Sequence, residues 1–127
     1  MLRNSALAWV AIGAISMIGA GTAAAADPEA GEKVFKRLCS TCHTIEAGKN
    51  RVGPSLAGIV GRKAASIDGF KYSDPMKASG ITWSEDKLDA YITDPKAVVP
   101  KGTMSFVGLK KDTDRADVIA YLKVKAK

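Results

Sequence analysis

The chain has 127 residues, which is the length of one small domain rather than several. Its 19 basic and 13 acidic side chains give a formal charge of +6, and it holds only two cysteines and one histidine. These three residues are one ligand short of the four nitrogen and sulfur ligands that a structural zinc site normally uses, which disfavours such a site. A chain this short buries a modest share of its surface, so we expect a further stabilising element besides its own core.

The first 26 residues have the layout of a secretory signal peptide. Arg3 is followed by an apolar stretch over residues 6–20 and by small residues that end in Ala24-Ala25-Ala26. The apolar part is shorter than the ~20 residues that a spanning helix needs, so we expect cleavage after Ala26 and no retained anchor. Residues 27–127 would then form one domain in the periplasm with a formal charge of +5. There a basic surface meets acidic proteins or anionic lipid, not nucleic acid.

The first predicted helix begins with Asp27 as N-cap and Pro28 as first helical residue. Apolar residues at helical spacing continue it to the cysteines. Residues 44–80 are rich in Gly, Ser, Lys and Asp, which predicts a long loop with one short helix near residues 55–61. So long a loop is unusual in a compact domain unless it wraps something.

A capping box from Thr82 to Glu85 predicts another helix, whose end Pro95 disturbs. A loop over residues 100–111 follows, and residues 112 to about 125 predict a last helix with lysines at its C-terminal end. No segment alternates in the manner of a strand. The predicted fold class is therefore all-α, with a few helices joined by long loops that need a bound group to complete the core.

The motif that carries chemistry is Cys39-Ser40-Thr41-Cys42-His43, which contains every cysteine and histidine of the chain. Cys-x-x-Cys-His is the sequence form of covalent haem attachment, in which both thiols form thioethers with the porphyrin and the histidine binds the iron. A thioredoxin-like dithiol would follow a strand in a βαβ unit, and no such strand is predicted. A thiol–disulfide oxidoreductase, a zinc site and a purely structural motif stay open as alternatives.

The second axial ligand of such a haem decides whether the protein transfers electrons or binds a small molecule at the iron. A methionine thioether opposite the histidine raises the reduction potential and suits electron transfer, whereas an open iron site suits a haem enzyme or a gas sensor. The chain beyond the leader offers Met76 and Met104, both in predicted loops. Spacing from His43 gives Met104 a slight edge.

Several further stretches resemble class I c-type cytochromes, a family that includes mitochondrial cytochrome c and short periplasmic counterparts. These stretches are VGPSLAGIVGRK, GFKYSD, GITWSEDKLDAYITDPKAVVP, MSFVGLKK and RADVIAYL. The resemblance implies the small cytochrome c fold, in which the N- and C-terminal helices cross and long loops wrap one covalent haem c. It also implies a monomeric electron carrier that is not an enzyme.

The same resemblance assigns roles to individual residues. Met104 is implied as the axial ligand opposite His43, and the Pro54 carbonyl as the acceptor of a hydrogen bond from the His43 ring. Arg62, Tyr72 and Trp83 are implied to hold the haem propionates. Tyr91 is expected beside the ligating sulfur and Phe106 at the haem edge. The crossing of the terminal helices is expected to involve Gly31, Phe35, Val118 and Tyr121.

Two positions depart from the family pattern. Gly102 stands where a threonine is usual, two residues before the ligating methionine. Met76 stands where a buried asparagine is common, and a thioether there is expected to raise the reduction potential by removing hydrogen bonds to internal water.

The resemblance also implies the redox partners. The expected donor is a membrane quinol–cytochrome c reductase, and the expected acceptor is a terminal oxidase, a reductase or a photosynthetic reaction centre. Basic residues around the haem edge would steer acidic partners together. The expected residues are Lys96, Lys101, Lys110 and Lys111.

Overall fold

The computed structural model describes residues 13–14 and 25–127. Nearly all of the predicted leader lies outside these ranges. The described residues form five α-helices and no strand. They are α1 Pro28–Leu38, α2 Asp74–Ala78, α3 Glu85–Thr93, α4 Pro95–Val98 and α5 Asp112–Lys125. The predicted all-α class is confirmed.

The start of α1 follows the sequence prediction. The Asp27 carboxylate accepts a hydrogen bond from the backbone N–H of Glu29 at 2.9 Å, and Pro28 occupies the first turn. The helix ends where the cysteine motif begins. Cys39 is the C-cap of α1, and its N–H donates to the Phe35 carbonyl at 2.8 Å. The motif is therefore attached directly to the C-terminal end of α1.

Helices α1 and α5 cross at Gly31, the contact that organises the two ends of the domain. A Cβ atom at Gly31 would collide with the Asp117 carbonyl and lie 2.8 Å from Tyr121 Cβ. Next to this point the rings of Phe35 and Tyr121 pack with centroids 5.5 Å apart, and Val118 is buried. The expected crossing is confirmed, and the missing side chain is what lets the two backbones approach.

The prediction of a short helix near residues 55–61 was wrong. Gly58 and Gly61 adopt φ values of 66° and 89°, so the chain leaves the right-handed helical region there and forms two turns instead. The short helix lies later, at α2. There the Ser73 hydroxyl accepts from the Met76 N–H at 3.3 Å, and a proline stands in the first turn.

The prediction that a capping box at Thr82 begins the next helix was also wrong. Ser84 caps α3, with its hydroxyl accepting from the Lys87 N–H at 3.2 Å. Thr82 instead pairs with Lys63 in an isolated antiparallel bridge. Pro95 begins α4 as well as following α3, because Asp94 is both the C-cap of α3 and the N-cap of α4.

The core lies between α1, α3 and α5 and continues into the loops. Its buried apolar members are Val34, Phe35, Ile59, Trp83, Leu88, Tyr91, Val99, Val118, Ile119, Tyr121, Leu122 and Ala126. Among the described residues, no helix has the length and apolarity to cross a membrane.

Replacing Gly31 by alanine tests the helix crossing. We expect Gly31→Ala to lower the free energy of unfolding by about 1–3 kcal/mol, because the added methyl group forces α1 and α5 apart. Urea denaturation followed by far-UV circular dichroism measures this change. Ala116→Ser, which adds one atom at an exposed position of α5, is expected to stay within about 0.5 kcal/mol of the wild type. Equal stabilities for Gly31→Ala and Ala116→Ser would contradict the close crossing.

Candidate functional site

The cysteine motif forms a compact turn beyond α1. The backbone N–H groups of Cys42 and His43 donate to the Cys39 carbonyl at 3.1 and 2.9 Å. The turn is held from outside by Arg51, whose Nη1 donates to the Ser40 carbonyl at 2.9 Å. The two cysteines form no disulfide and are half-buried. The two sulfur atoms and the imidazole thus start from one tight turn at the edge of the core.

The chemistry of Cys39 argues against a redox dithiol. Burial, with a smaller contribution from Cys42, raises the pKa of the Cys39 thiol to about 11. Thiol–disulfide oxidoreductases need a thiolate near neutral pH, which requires a lowered pKa. Before any bond to a cofactor forms, the environment of Cys39 therefore favours the neutral thiol over the thiolate.

His43 is held as a neutral imidazole in a fixed orientation. Its Nδ1–H donates to the Pro54 carbonyl at 2.8 Å. Because a carbonyl can only accept, the proton is on Nδ1 and the lone pair of Nε2 is left for a metal. Burial lowers the pKa of the imidazole, the charge of Arg62 acts in the same direction, and the bond to Pro54 opposes them in part. The ring is therefore in the form that coordinates iron.

Gly53 makes room for that ring, a role that the sequence analysis missed. A Cβ atom at Gly53 would overlap the His43 ring and lie 2.7 Å from its Nδ1. The Gly53 N–H also donates to the Cys42 carbonyl at 2.8 Å. A glycine directly before Pro54 was the available signal, since close backbone approach is a common reason for glycine.

Ser55 was missed as well. It is 0 % exposed, and its hydroxyl donates to the Glu46 carbonyl at 2.6 Å. Its N–H donates to the Asn50 side-chain oxygen at 2.9 Å. These bonds fix the loop that presents the Pro54 carbonyl. A serine in a loop gives no sequence signal for such a role, because most loop serines face solvent.

Arg62 provides a test of whether a haem would fit. Its Nη1 donates to the carbonyls of Ser55 and Ala57 at 2.9 and 2.8 Å. Its Nε is buried and lacks a hydrogen-bond partner, alone among the side chains that the structure describes. Burial lowers the pKa of this guanidinium, with Tyr72 opposing in part. A partly buried cation with an unused buried donor calls for a carboxylate, which is what a haem propionate provides.

The implied aromatic residues lie around Arg62. Backbone hydrogen bonds join the Trp83 N–H to the Arg62 carbonyl at 2.8 Å and the Gly61 N–H to the Trp83 carbonyl at 2.7 Å. Trp83 packs on Tyr91 with ring centroids 4.8 Å apart. The Tyr72 hydroxyl accepts from the Ile67 N–H at 3.2 Å. His43, Pro54, Arg62, Trp83 and Tyr91 are thus connected through hydrogen bonds and ring contacts.

Comparison with known proteins agrees with this arrangement. The family model for cytochrome c matches residues 28–124. The chain is 58% identical over 86 residues to cytochrome c2 iso-2 of Magnetospirillum fulvum, which covers 68% of this chain and 90% of that protein. It is 53% identical over 112 residues to cytochrome c2 of Rhodomicrobium vannielii, covering 87% of this chain and 89% of that protein. Cytochrome c2 of Blastochloris viridis is 51% identical over 102 residues, 80% of each chain.

The chain belongs to the cytochrome c family. As a family member it carries haem c bound covalently through the Cys-x-x-Cys-His motif, at Cys39 and Cys42. It transfers electrons and is not an enzyme, as expected. The thiol–disulfide alternative is thereby set aside. No cluster of three or more His, Cys, Asp or Glu suited to a metal ion occurs within the described residues.

The two methionines of this cytochrome c lie in different surroundings. Met104 stands in the segment between α4 and α5 and is partly buried against the core, and Phe106 after it is also half-buried. Met76 is part of α2 and likewise packs partly buried against the core. At Gly102, the N–H donates to the Val99 carbonyl at 3.1 Å, and a Cβ atom would lie 3.1 Å from the same oxygen. A threonine there would crowd this turn.

Replacing Gly53 by alanine tests the space that this cytochrome c keeps for His43. We expect Gly53→Ala to rotate the imidazole and weaken its bond to Pro54, lowering the free energy of unfolding by about 1–3 kcal/mol. The visible spectrum should also show a perturbed iron environment. Val52→Ala removes a neighbouring side chain that is 78% exposed and serves as the control. A Gly53→Ala protein with wild-type spectrum and stability would contradict the role of Gly53.

Proposed function

We propose that this cytochrome c is a periplasmic carrier of single electrons whose haem iron is bound by His43 on one side and Met104 on the other. When bound, the haem supplies a one-electron Fe(III)/Fe(II) couple. The observation that carries the proposal is the bond from His43 Nδ1 to the Pro54 carbonyl at 2.8 Å. It orients Nε2 and increases the basicity of the imidazole, as expected of an axial ligand.

Met104 would complete the coordination. A thioether ligand favours the reduced iron and raises the reduction potential, and a filled position leaves no place for oxygen or a substrate. The alternative of a haem enzyme or gas sensor requires that position to be open. The backbone conformation supports Met104 over Met76. Met104 lies in a segment without regular structure, whose backbone can adapt to the haem plane more freely than that of α2, which contains Met76.

Polar residues would hold the charged edge of the haem. Arg62 brings a buried unpartnered Nε, and Trp83 and Tyr72 add an indole N–H and a hydroxyl as donors. Tyr91 is buried, and this burial raises the pKa of its hydroxyl, so the side chain stays neutral beside the proposed Met104 sulfur. These residues would compensate the negative charge of the propionates and exclude water from one side of the site. Fewer water molecules would then have to reorient during electron transfer.

Four exposed lysines would steer the partners. They are Lys96, Lys101, Lys110 and Lys111. None of the ion pairs within the described part of the chain uses them. The Lys110 ammonium donates to the Thr93 carbonyl at 2.6 Å, which fixes its position at the surface. Acidic docking faces on a membrane quinol–cytochrome c reductase as donor, and on a terminal oxidase, reductase or photosynthetic reaction centre as acceptor, would complement this charge.

The proposed periplasmic location rests on the leader. Cleavage after Ala26 would leave Asp27 as the first residue, and the fold itself begins there. Asp27 caps α1, and its N–H donates to the Asp117 carboxylate at 2.8 Å. The family match also starts one residue later, at residue 28. The domain would therefore begin at Asp27, and we propose that it acts as a monomer.

Substituting each methionine tests the axial ligand. The oxidised wild type should show a weak near-infrared band from thioether-to-ferric charge transfer, and its reduced form should not bind carbon monoxide. Met104→Ala is expected to lose the band and to bind carbon monoxide, because it opens the iron site. Met76→Leu, a volume-conserving control, should keep the band. Loss of the band in Met76→Leu alone would assign Met76, and a wild type without the band would favour an open site.

Salt dependence tests the lysine surface. The association rate with an acidic redox partner should fall by about tenfold or more between low and high salt, because electrostatic steering is screened. The Lys96→Glu/Lys101→Glu double variant should lose most of this dependence. A control with Lys33→Glu and Lys63→Glu makes the same change of net charge at other exposed positions. Stopped-flow reduction measures the rates, and an equal effect of both double variants would count against a local patch.

A further inference from the structure

Arg115 is a buried cation that the haem site does not use. It lies on α5 and is 8% exposed. A buried guanidinium costs solvation free energy unless its donors are all satisfied, and an apolar side chain could fill the same place more cheaply. Its presence therefore needs a reason beyond packing.

All three nitrogens of this guanidinium make hydrogen bonds. Nε donates to the Asp89 carboxylate of α3 at 2.7 Å, and Nη2 donates to the Asp112 carboxylate at the start of α5. Nη1 donates to the backbone carbonyls of Leu109 and Lys110 at 2.9 and 3.0 Å. Arg115 thus joins α3, α5 and the segment that precedes α5, which is possible because the planar group presents donors in a fixed fork.

Other bonds converge on the same short stretch of chain. The Leu109 N–H donates to the Ile92 carbonyl at 2.7 Å, and the Lys110 ammonium donates to the Thr93 carbonyl at 2.6 Å. Gly108 adopts a φ of 113°, and a Cβ atom there would collide with the Thr93 carbonyl. Residues 108–110 are therefore fixed against the C-terminal end of α3.

The residues just before this anchor have only local bonds in the part of the chain that the structure describes. The Gly102 N–H donates to the Val99 carbonyl at 3.1 Å, and the Phe106 N–H donates to the Met104 carbonyl at 3.0 Å. Neither bond reaches another element. The position of Met104 is thus set by α4 on one side and by the anchor at residues 108–110 on the other.

We infer that Arg115 is a positioning residue for Met104. By holding the carbonyls of Leu109 and Lys110, it restricts the movement of residues 104–108, so that the Met104 sulfur stays bound to the iron. This inference rests on the proposed ligation by Met104. Arg115 touches neither haem nor iron and acts through the backbone. A merely structural Arg115 would stabilise all helices together, whereas a positioning Arg115 protects the Met104 segment more than the rest.

The test compares two probes of the holoprotein in urea. The near-infrared thioether band reports the Met104–iron bond, and far-UV circular dichroism reports the helices. In Arg115→Gln the band should disappear at a distinctly lower urea concentration than the helical signal, with a wider gap between midpoints than in the wild type. Arg115→Lys should give a smaller gap, because an ammonium keeps the charge but cannot reach both carbonyls and both carboxylates. The control is Arg37→Gln, which removes the exposed pair from Arg37 to Asp114 on α5 and should leave the gap unchanged.

A milder variant keeps the test usable if Arg115→Gln does not fold. Asp89→Asn preserves the shape of the partner and weakens its bond to Nε, so the same widening should appear at reduced size. Native-state hydrogen exchange gives an independent reading. The Leu109 amide should exchange about tenfold to a hundredfold faster in Arg115→Gln, the range that corresponds to losing a hydrogen bond to a charged group, while the Leu122 amide of α5 should change less.

The outcomes separate the two proposals. A wild type without the thioether band would overturn both the ligation by Met104 and the role of Arg115. A wild type with the band, combined with equal shifts of band and helical signal in both Arg115 and Asp89 variants, would overturn the role of Arg115 alone.

Discussion

The hydrogen bond from the His43 ring to the Pro54 carbonyl is the constraint on which the rest of the site depends. A histidine attached to a tight turn could point in several directions, and this bond selects one ring orientation and one tautomer. The bond in turn needs Gly53, because any side chain there would occupy the space of the ring. It also needs Ser55, whose buried hydroxyl holds the loop in place. The proposed axial ligand is thus supported by three consecutive residues of a loop without regular structure.

The loops of this domain are therefore ordered by specific polar contacts rather than by helix packing. Arg62 binds the carbonyls of Ser55 and Ala57 and leaves its buried Nε without a partner. Arg115 binds the carbonyls of Leu109 and Lys110, which follow the segment that contains Met104. Each arginine satisfies backbone carbonyls that no helix or sheet would pair. The two arginines hold different loop segments, residues 55–57 and residues 109–110, so each of these segments is fixed by its own guanidinium.

Much of this could be predicted from sequence, and the failures have a common cause. The Asp27–Pro28 start of α1 was predicted correctly, because capping depends on neighbouring residues alone. The cysteine motif was recognisable for the same reason. The helix expected at residues 55–61 and the cap at Thr82 were wrong, since backbone turns and a distant bridge to Lys63 decided those regions. Arg115 gave no signal, because its four acceptors come together only in the folded chain.

The crossing of α1 and α5 has a consequence for the order in which the molecule is made. The Asp27 N–H and the Asp117 carboxylate that accepts its hydrogen bond are 90 positions apart in sequence. Closing so long a loop costs conformational entropy that only the completed contact recovers. If the leader directs export as proposed, a chain crossing the membrane from its N-terminus would present Cys39 and Cys42 long before its last helix can fold onto its first. During that interval both thiols would lie in an open chain, and the final helix would close the domain afterwards.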